Sequence, residues 1–440
     1  MSQLNVAGRD KLVQNRTELV VLLVLAATQF TSIVDFMVVM PLGPQLMKSL
    51  SIGPTEFGFI VSSYTFAAGA AGLVASAIID RYSRRASFLT LYAGFLLGTL
   101  MCAFAPTYKI LLLARVATGA FGGILGGMSM AIIGDVFPEE RRGRATGSLM
   151  TGFALASVAG VPAGLALGTK FGWHVPFLCL VVLGTPILIL SALSLPSLTD
   201  HLGKEHAHPI RSLIDTFSVP NHLSSFALIA SVMIGTFSAM PFISAYLVAN
   251  DGISEYELNF LFIAGGALAL VTAPIIGKFA DRFGKLPVYR AIAPLSAILL
   301  LVVTHLPPVG IVISVAVVST LMVSNVGRMI AAMAMITGSV ERSRRGSFMS
   351  ANAAVQHIAA GIGASLGGLI ITELPVADGH KYHPLEHYGT VGWIAAVVTL
   401  SSIWFAGRIR AAVDEPITEA ASLAAAAEVT FDVGEPMVGT

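Results

Sequence analysis

The chain has 440 residues, a formal net charge of +1 and two cysteines. Hydrophobic residues make up 55% and charged residues 12%, where soluble proteins carry about 45–50% and about 25%. This balance argues against a soluble enzyme, a disordered chain or a secreted disulfide scaffold, and the near-zero charge gives no footprint for nucleic acid.

Residues 1–18 are polar and read as an N-terminal segment on the cytoplasmic side. The apolar run Leu19–Met47 is far longer than the core of a secretory signal and lacks a small-residue cleavage site, so it reads as a first membrane span. Five further runs of membrane-crossing length follow: Glu56–Ile79, Ala86–Ala105, Lys109–Gly134, Gly143–Leu167 and Val175–Leu195. Cys102 and Cys179 lie in such runs and read as small buried hydrophobes. A polar linker, residues 196–223, then divides the chain. Six more runs come after it: Ser224–Ala249, Glu257–Gly277, Pro287–His305, Gly310–Ile336, Gly346–Thr372 and Gly389–Ile409. Residues 411–440 are Ala-rich and acidic and read as a loosely ordered cytoplasmic tail. The expected fold is an all-α membrane protein with twelve transmembrane helices in two six-helix bundles, residues 19–195 and 224–410.

Charge placement tests the count. With both termini inside, 20 of the 26 basic residues fall in cytoplasmic segments and four outside, namely Lys48, Lys109, Lys170 and Lys381. The remaining two, Arg115 and Arg328, lie within spans. Such a bias is the positive-inside pattern, and a missed helix would scramble it. A multi-pass protein of the cell membrane is expected, with the lipid bilayer as its main partner.

The halves also repeat each other. Ser76-Ala-Ile-Ile-Asp80-Arg81-Tyr-Ser-Arg84-Arg85 follows the second span, and Gly277-Lys-Phe-Ala-Asp281-Arg282-Phe-Gly284-Lys285 follows the eighth, 201 residues on. Arg141-Arg142-Gly143-Arg144 follows the fourth span, and Arg344-Arg345-Gly346-Ser347 follows the tenth, 203 residues on. Two matched elements at nearly one interval imply a duplicated six-helix unit. Here the chain resembles the major facilitator superfamily of transporters, over roughly residues 18–410. The Asp80 and Asp281 segments resemble its loop motif A, with Ser76 and Ser83 in place of glycines in the first copy. Arg115-Val-Ala-Thr-Gly119 resembles motif B, and Gly160-Val-Pro162-Ala-Gly164 resembles the antiporter motif C of the fifth span.

The resemblance implies alternating access by rocking of two bundles. It points to the twelve-helix drug:proton antiporter and sugar-efflux-like branch, where His174 replaces the usual arginine. It implies a small-molecule substrate and protons as partners, no cofactor, and a monomer. It also implies an Arg84–Asp135 ion pair that supports the inner gate formed by Asp80, Arg81, Asp281 and Arg282. Asp80 is expected against the start of the eleventh helix at Gly346, and Asp281 against the start of the fifth at Gly143, where helix N-terminal N–H groups favour a carboxylate.

Asp35 is the one carboxylate placed deep in a span, where an ionisable group is costly unless paired or facing water. Thr28, Thr31 and Ser32 precede it at helical spacing, a polar stripe suited to a cavity wall. Asp35 reads as a proton carrier or counter-charge, or as a structural pair with Arg115 at similar depth. Arg115 would favour the charged form and loss of water the neutral one. Arg328, with Asn325 one turn earlier, reads as a cavity residue favouring an anionic substrate, or as a side chain snorkelling to the inner face. Asn352 and Gln356 share one helix face as cavity hydrogen-bonders, and His357 is a weaker proton-carrier candidate. The glycines at 160, 164, 168 and 172, and at 119, 123 and 127, predict close helix packing, and Pro162 predicts a kink.

Other signals carry no chemistry. Gly363-Ala-Ser365-Leu-Gly367 spells a nucleophile elbow but lies inside an apolar span. His201, His206, His208, His380, His383 and His387 lack a cysteine or carboxylate framework, so no metal is expected. No Walker-type phosphate loop occurs. The sequence therefore reads as a secondary transporter, with proton-coupled export of a drug-like molecule first and sugar or metabolite efflux or uniport second. A sensor or enzyme on the same fold would need a catalytic constellation or an added soluble domain. The topology has a direct check: a cysteine placed at Ser212, after Cys102 and Cys179 are replaced, should react with an impermeant maleimide only once the membrane is opened. Labelling in intact cells would overturn the orientation and the span count together.

Overall fold

The computed structural model describes residues 2–78, 81–199, 215–341, 345–375 and 382–412, with backbone alone for residues 2–17, 76 and 77. Twelve helices among the described residues are long and apolar enough to cross a membrane. They are α1 Glu18–Val38, α2 Pro54–Ala75, α3 Arg84–Ala103, α4 Tyr108–Val136, α5 Glu139–Phe171 and α6 His174–Ser194, then α7 Pro220–Ala249, α8 Leu258–Phe283, α9 Lys285–Thr304, α10 Ile311–Gly338, α11 Arg345–Ile370 and α12 Tyr388–Arg408. The helix of α1 runs back to Ser2. A two-residue antiparallel pairing, β1 Thr372–Glu373 with β2 Leu385–Glu386, lies between α11 and α12.

α5 and α8 run past their expected ends, to Phe171 and Phe283, and three other boundaries differ from those that apolar length predicts because of proline. The first span ends at Val38 rather than Met47, and a separate short helix, Gly43–Leu50, follows. Pro41 supplies no N–H and biases Met40 away from helix, whereas Pro44 sits in the first turn of the short helix, where a missing N–H costs little. α5 begins at Glu139 rather than Gly143, with Pro138 as its N-cap and Glu139 and Glu140 in the electropositive first turn. α7 begins at Pro220 rather than Ser224 and is interrupted by a 3-10 turn, Met240–Phe242, around Pro241.

The repeat is visible in the packing. α2 and α3 pack on α4, α3 on α6, and α1 on α5 and α6; the same pairings recur six helices later as α8 and α9 on α10, α9 on α12, and α7 on α11 and α12. Small residues set the separations. A Cβ at Gly160 or Gly164 would overlap Val34 or Val38 of α1, and one at Gly168 would overlap Leu42 in the turn that follows, so α5 lies against α1 and its exit along three rungs of its ladder. Gly172 is not a rung: it ends the helix at φ +101°. Gly119 and Gly123 bring α4 onto Tyr64 and Ala68 of α2, while Gly127 has open space. Within α5 a single π turn, Ala156–Gly160, precedes Pro162. The wider turn makes room for the proline ring, which an ordinary helical turn would meet head-on.

The two halves meet along α2–α11 and α5–α8. They are sealed at the end of the bundle opposite the helical start of α1 and the end of α12. There the short helix packs on residues 243–249, Phe57 meets Phe242 edge-on at 5.7 Å, Lys48 lies over the Tyr382 ring at 5.5 Å, and Thr55 Oγ1 donates to the Gly368 carbonyl at 2.9 Å. α8 packs on residues 156–171 of α5, with Gly266 against the π turn at Ser157 and Val158. Towards the other end the same two helices part: a Cβ at Gly143, Gly147 or Gly277 would meet nothing within 4 Å.

The seal depends on backbone-to-backbone contact at Gly58, where a Cβ would stand 2.8 Å from the Ala364 carbonyl oxygen. A bulkier residue cannot coexist with that contact, and overpacking costs about 1–3 kcal/mol. Gly58→Leu should therefore shift the population about tenfold or more towards a state open at the sealed end. Spin labels at Lys109 and Val312, both exposed beside that end, should report longer distances; an unchanged distribution in a folded variant would contradict this packing.

Candidate functional site

Asp35, near the end of α1, is fully buried, and its Oδ2 accepts from Arg115 NH1 at 2.7 Å. Arg115, two turns into α4, is 1% exposed. Each neighbouring helix adds a group. Thr99 of α3 donates to Asp35 Oδ1 at 3.1 Å, and Tyr64 of α2 lies under the guanidinium, 4.5 Å from ring centre to carbon. Ser32 of α1 lies beside the Tyr64 hydroxyl. Arg115 Nε keeps no partner. In a low-dielectric bundle such a pair holds only when its lone pairs are satisfied, and removing one partner costs about 3–5 kcal/mol because the other charge is left buried.

The polar stripe on α1 divides. Ser32 faces Tyr64, but Thr28 and Thr31 do not line an open cavity in this state. Both are fully buried, and Thr31 Oγ1 lies 3.1 Å from the Tyr92 hydroxyl of α3, inside the first bundle. The helical period explains this: residues 28, 31 and 35 share the face turned towards α3 and α4. Gln29, on a different face, has a buried oxygen without a partner, and its side chain comes within 3.7 Å of a Cβ at Gly126 on α4.

The second half holds a buried cation of another kind. Arg328 of α10 is 0% exposed and donates to Thr399 of α12 at 2.8 Å, Thr236 of α7 at 2.9 Å and Asn325 at 2.8 Å. Ser296 of α9 donates to the same Asn325 oxygen at 3.1 Å. These bonds hold it in the bundle interior, so it does not snorkel. Among the described residues no carboxylate bonds it. Asn352 is buried on α11, with Nδ2 3.9 Å from the Met333 sulfur and an unpartnered Oδ1; Gln356 and His357 are half-buried on the same helix. The structure thus joins Asn325 to Arg328 but leaves Asn352 outside that cluster.

An aromatic path links the two arginines. Tyr64 packs on Phe36 at 5.1 Å, and Phe36 meets Phe237 of α7 across the seam at 5.9 Å, one residue from Thr236. Tyr64, Thr99, Thr236 and Thr399 escape notice in the sequence because hydroxyls on apolar helices are common. The one available cue is that each must satisfy something when buried.

Of the gating residues, Asp80 lies outside the described residues. Arg84 and Asp135 form an ion pair at 3.2 Å. Arg81, Asp281 and Arg282 are exposed, with Arg282 over the Phe283 ring at 5.4 Å. Gly143 and Gly346 have open space around them, so the expected Asp281–Gly143 contact is not made in this state, where α5 and α8 part at that end. At the sealed end, a cavity of about 610 Å³ between Thr169 and the α7–α8 loop contains Asp251, whose burial pushes its carboxyl up to about 6. Ser365 lies within α11, whose flanking Gly363 and Gly367 pack on α7. Among the described residues no cluster suits a metal: His383 and His387 bond Leu374 and Thr372, and His201, His206, His208 and His380 lie outside them.

Comparison with known proteins agrees with this architecture. The family model for the Major Facilitator Superfamily matches residues 25–323 and 225–431. The chain is 26% identical to an uncharacterized MFS-type transporter, YtbD of Bacillus subtilis, over 61% of this chain and 67% of that protein. It is 24% identical to the inner membrane transport protein YdhP of Escherichia coli, over 55% and 62%. It is 23% identical to a probable sugar efflux transporter of Pasteurella multocida, over 53% and 57%. These matches thus span about 57–67% of the relatives' length. Among solved structures, a bacterial homologue of the human lysosomal transporter Spinster superposes with a TM-score of 0.66 at 14% identity, covering 96% of this chain and 99% of that one. A mutant of the nucleoside transporter NupG gives 0.66 at 15% identity, over 89% and 99%. With twelve apolar helices in two repeated bundles and a family match across both, the chain is a member of the major facilitator superfamily of transporters.

Proposed function

We propose that this protein is a proton-coupled antiporter that exports a small organic molecule by alternating access, with Asp35 as the proton carrier. The observation that carries the reading is the fully buried Asp35–Arg115 pair, the only buried carboxylate–arginine pair among the described residues. Burial favours the neutral acid and Arg115 favours the carboxylate, so a modest change in either hands the proton on or takes it up. Tyr64 and Phe36 connect the pair to the seam between the halves, where a change of state is felt first. The sealed end and the parted α5–α8 helices correspond to one of two access states. The positive-inside bias supports a cytoplasmic parted end. In the opposite state Asp80 and Asp281 would close that end against α11 and α5, with Arg84–Asp135 as support. Gly160, Pro162 and Gly164 act in this scheme by holding α5 on α1 while its π turn meets α8. A sugar as the exported molecule is the second reading, favoured by the relatives named probable sugar efflux transporters.

The test uses purified protein in liposomes and a panel of labelled drugs and sugars. A pH gradient should concentrate a substrate of the wild type against the inward proton flow; a 100 mV equivalent supplies about 2.3 kcal/mol per proton, or about 50-fold. Asp35→Asn should abolish accumulation and leave downhill exchange, and Asp35→Asn with Arg115→Gln should do the same without a stranded cation. Normal accumulation by folded Asp35→Asn would remove Asp35 from the coupling step.

A further inference from the structure

The second half repeats the first with one charge missing. In the first, α1 supplies Asp35 and α4 supplies Arg115; α7 and α10 stand in the same relation one repeat later. Thr236 lies 201 residues after Asp35, the interval that separates the two Asp-Arg loops, so a hydroxyl stands where the first half has a carboxylate. The arginine is kept, but moved. The counterpart of Arg115 at the 203-residue interval is Val318, and Arg328 lies ten residues further along, about 15 Å deeper in the bundle.

Every side chain that bonds Arg328 is neutral: Thr236, Thr399 and Asn325. Two donors are left over, Arg328 Nε and Asn325 Nδ2, both buried and both without an acceptor. They belong to side chains already bonded to each other at 2.8 Å, so they share one neighbourhood. A desolvated cation with a spare donor of its own and another beside it lacks an anionic acceptor. The Thr236 hydroxyl that holds the guanidinium is one residue from Phe237, whose ring meets Phe36 across the seam between the halves. Movement of α7 against α1 therefore acts directly on one wall of the cage.

We propose that Arg328 and Asn325 dock the anionic group of the transported molecule, and that this molecule is an organic monoanion, a carboxylate in class. One guanidinium and one amide donor match the two oxygens and single charge of a carboxylate, and the planar fork suits that geometry. Thr236 and Thr399 hold the arginine when no ligand is bound. The inference rests on the transporter reading but not on proton coupling. The competing role is a structural one, with Arg328 serving only to tie α7, α10 and α12 together.

Equilibrium binding without any gradient separates the two roles. Protein in lipid nanodiscs is unfolded by heat at constant ionic strength with benzoate or benzamide, cinnamate or cinnamamide, and gluconate or glucose. At least one acid should raise the unfolding midpoint while its neutral partner does not. Arg328→Gln should fold and remain at least as heat-stable as the wild type, since it removes an uncompensated buried charge, and should weaken the acid about tenfold or more. Arg328→Lys should keep the preference for the acid at lower affinity, and Asn325→Ala, which leaves the arginine in place, should weaken it independently of any folding defect at position 328. Acids and neutral partners that act alike, or an acid-specific rise that survives in Arg328→Gln, would overturn the proposal. Loss of proton coupling in liposomes would leave this result untouched, so the two readings fail separately.

Discussion

A carboxylate and a guanidinium lie 2.7 Å apart in the apolar interior of the first bundle, and four helices are arranged to keep them there. α1 and α4 bring the charges, α3 adds the Thr99 hydroxyl, and α2 adds the Tyr64 ring. Neither charge can be withdrawn alone without several kcal/mol of exposed desolvation cost. The pair therefore binds these helices into one body. Gly119 and Gly123 of α4 and the glycines of α5 then let the helices approach closely enough for the pair to be enclosed. The contacts between the halves are of another kind, made by rings, one exposed lysine and small residues: Phe57–Phe242, Lys48–Tyr382 and the glycine contacts of α2 with α11.

The two bundles share a plan but differ in charge. The first is electrically closed, with Asp35 balancing Arg115. The second carries Arg328 with hydroxyls and an amide around it and two donors unused. The repeat gives two similar scaffolds, and Thr236 stands where the first has Asp35, which leaves Arg328 without a carboxylate partner among the described residues. In the proposed transport cycle, a proton on one side and an anion on the other would meet the same seam through Phe36 and Phe237.

Much of this is legible in the sequence, for particular reasons. Spans are visible because each needs about 20 apolar residues, and the repeat is visible because loop charges mark it at a fixed interval. Asp35 and Arg115 stand out because charge is rare inside a span, and their similar depth follows from helical rise. The α5 ladder is legible because small residues at fours have few other uses. What is not legible depends on rotation and on breaks. Apolar length cannot see that Pro41 ends α1 early or that a π turn precedes Pro162. The stripe of Thr28 and Thr31 has the right period, but period alone does not say whether it faces a cavity or Tyr92. Thr236, Thr399 and Thr99 are invisible because a threonine on an apolar helix usually bonds its own backbone.

The central claim is that Asp35 changes its protonation state while it remains enclosed beside Arg115. Infrared difference spectroscopy of the protein in nanodiscs, titrated from about pH 9 down to about pH 4, observes this event directly through the carbonyl band of a protonated carboxyl. The account predicts a band in the wild type that appears on titration, shifts when a transported ligand is added, and is absent from Asp35→Asn. A wild type whose spectrum is identical to that of folded Asp35→Asn throughout the range would contradict it and leave the Asp35–Arg115 pair as a fixed bridge.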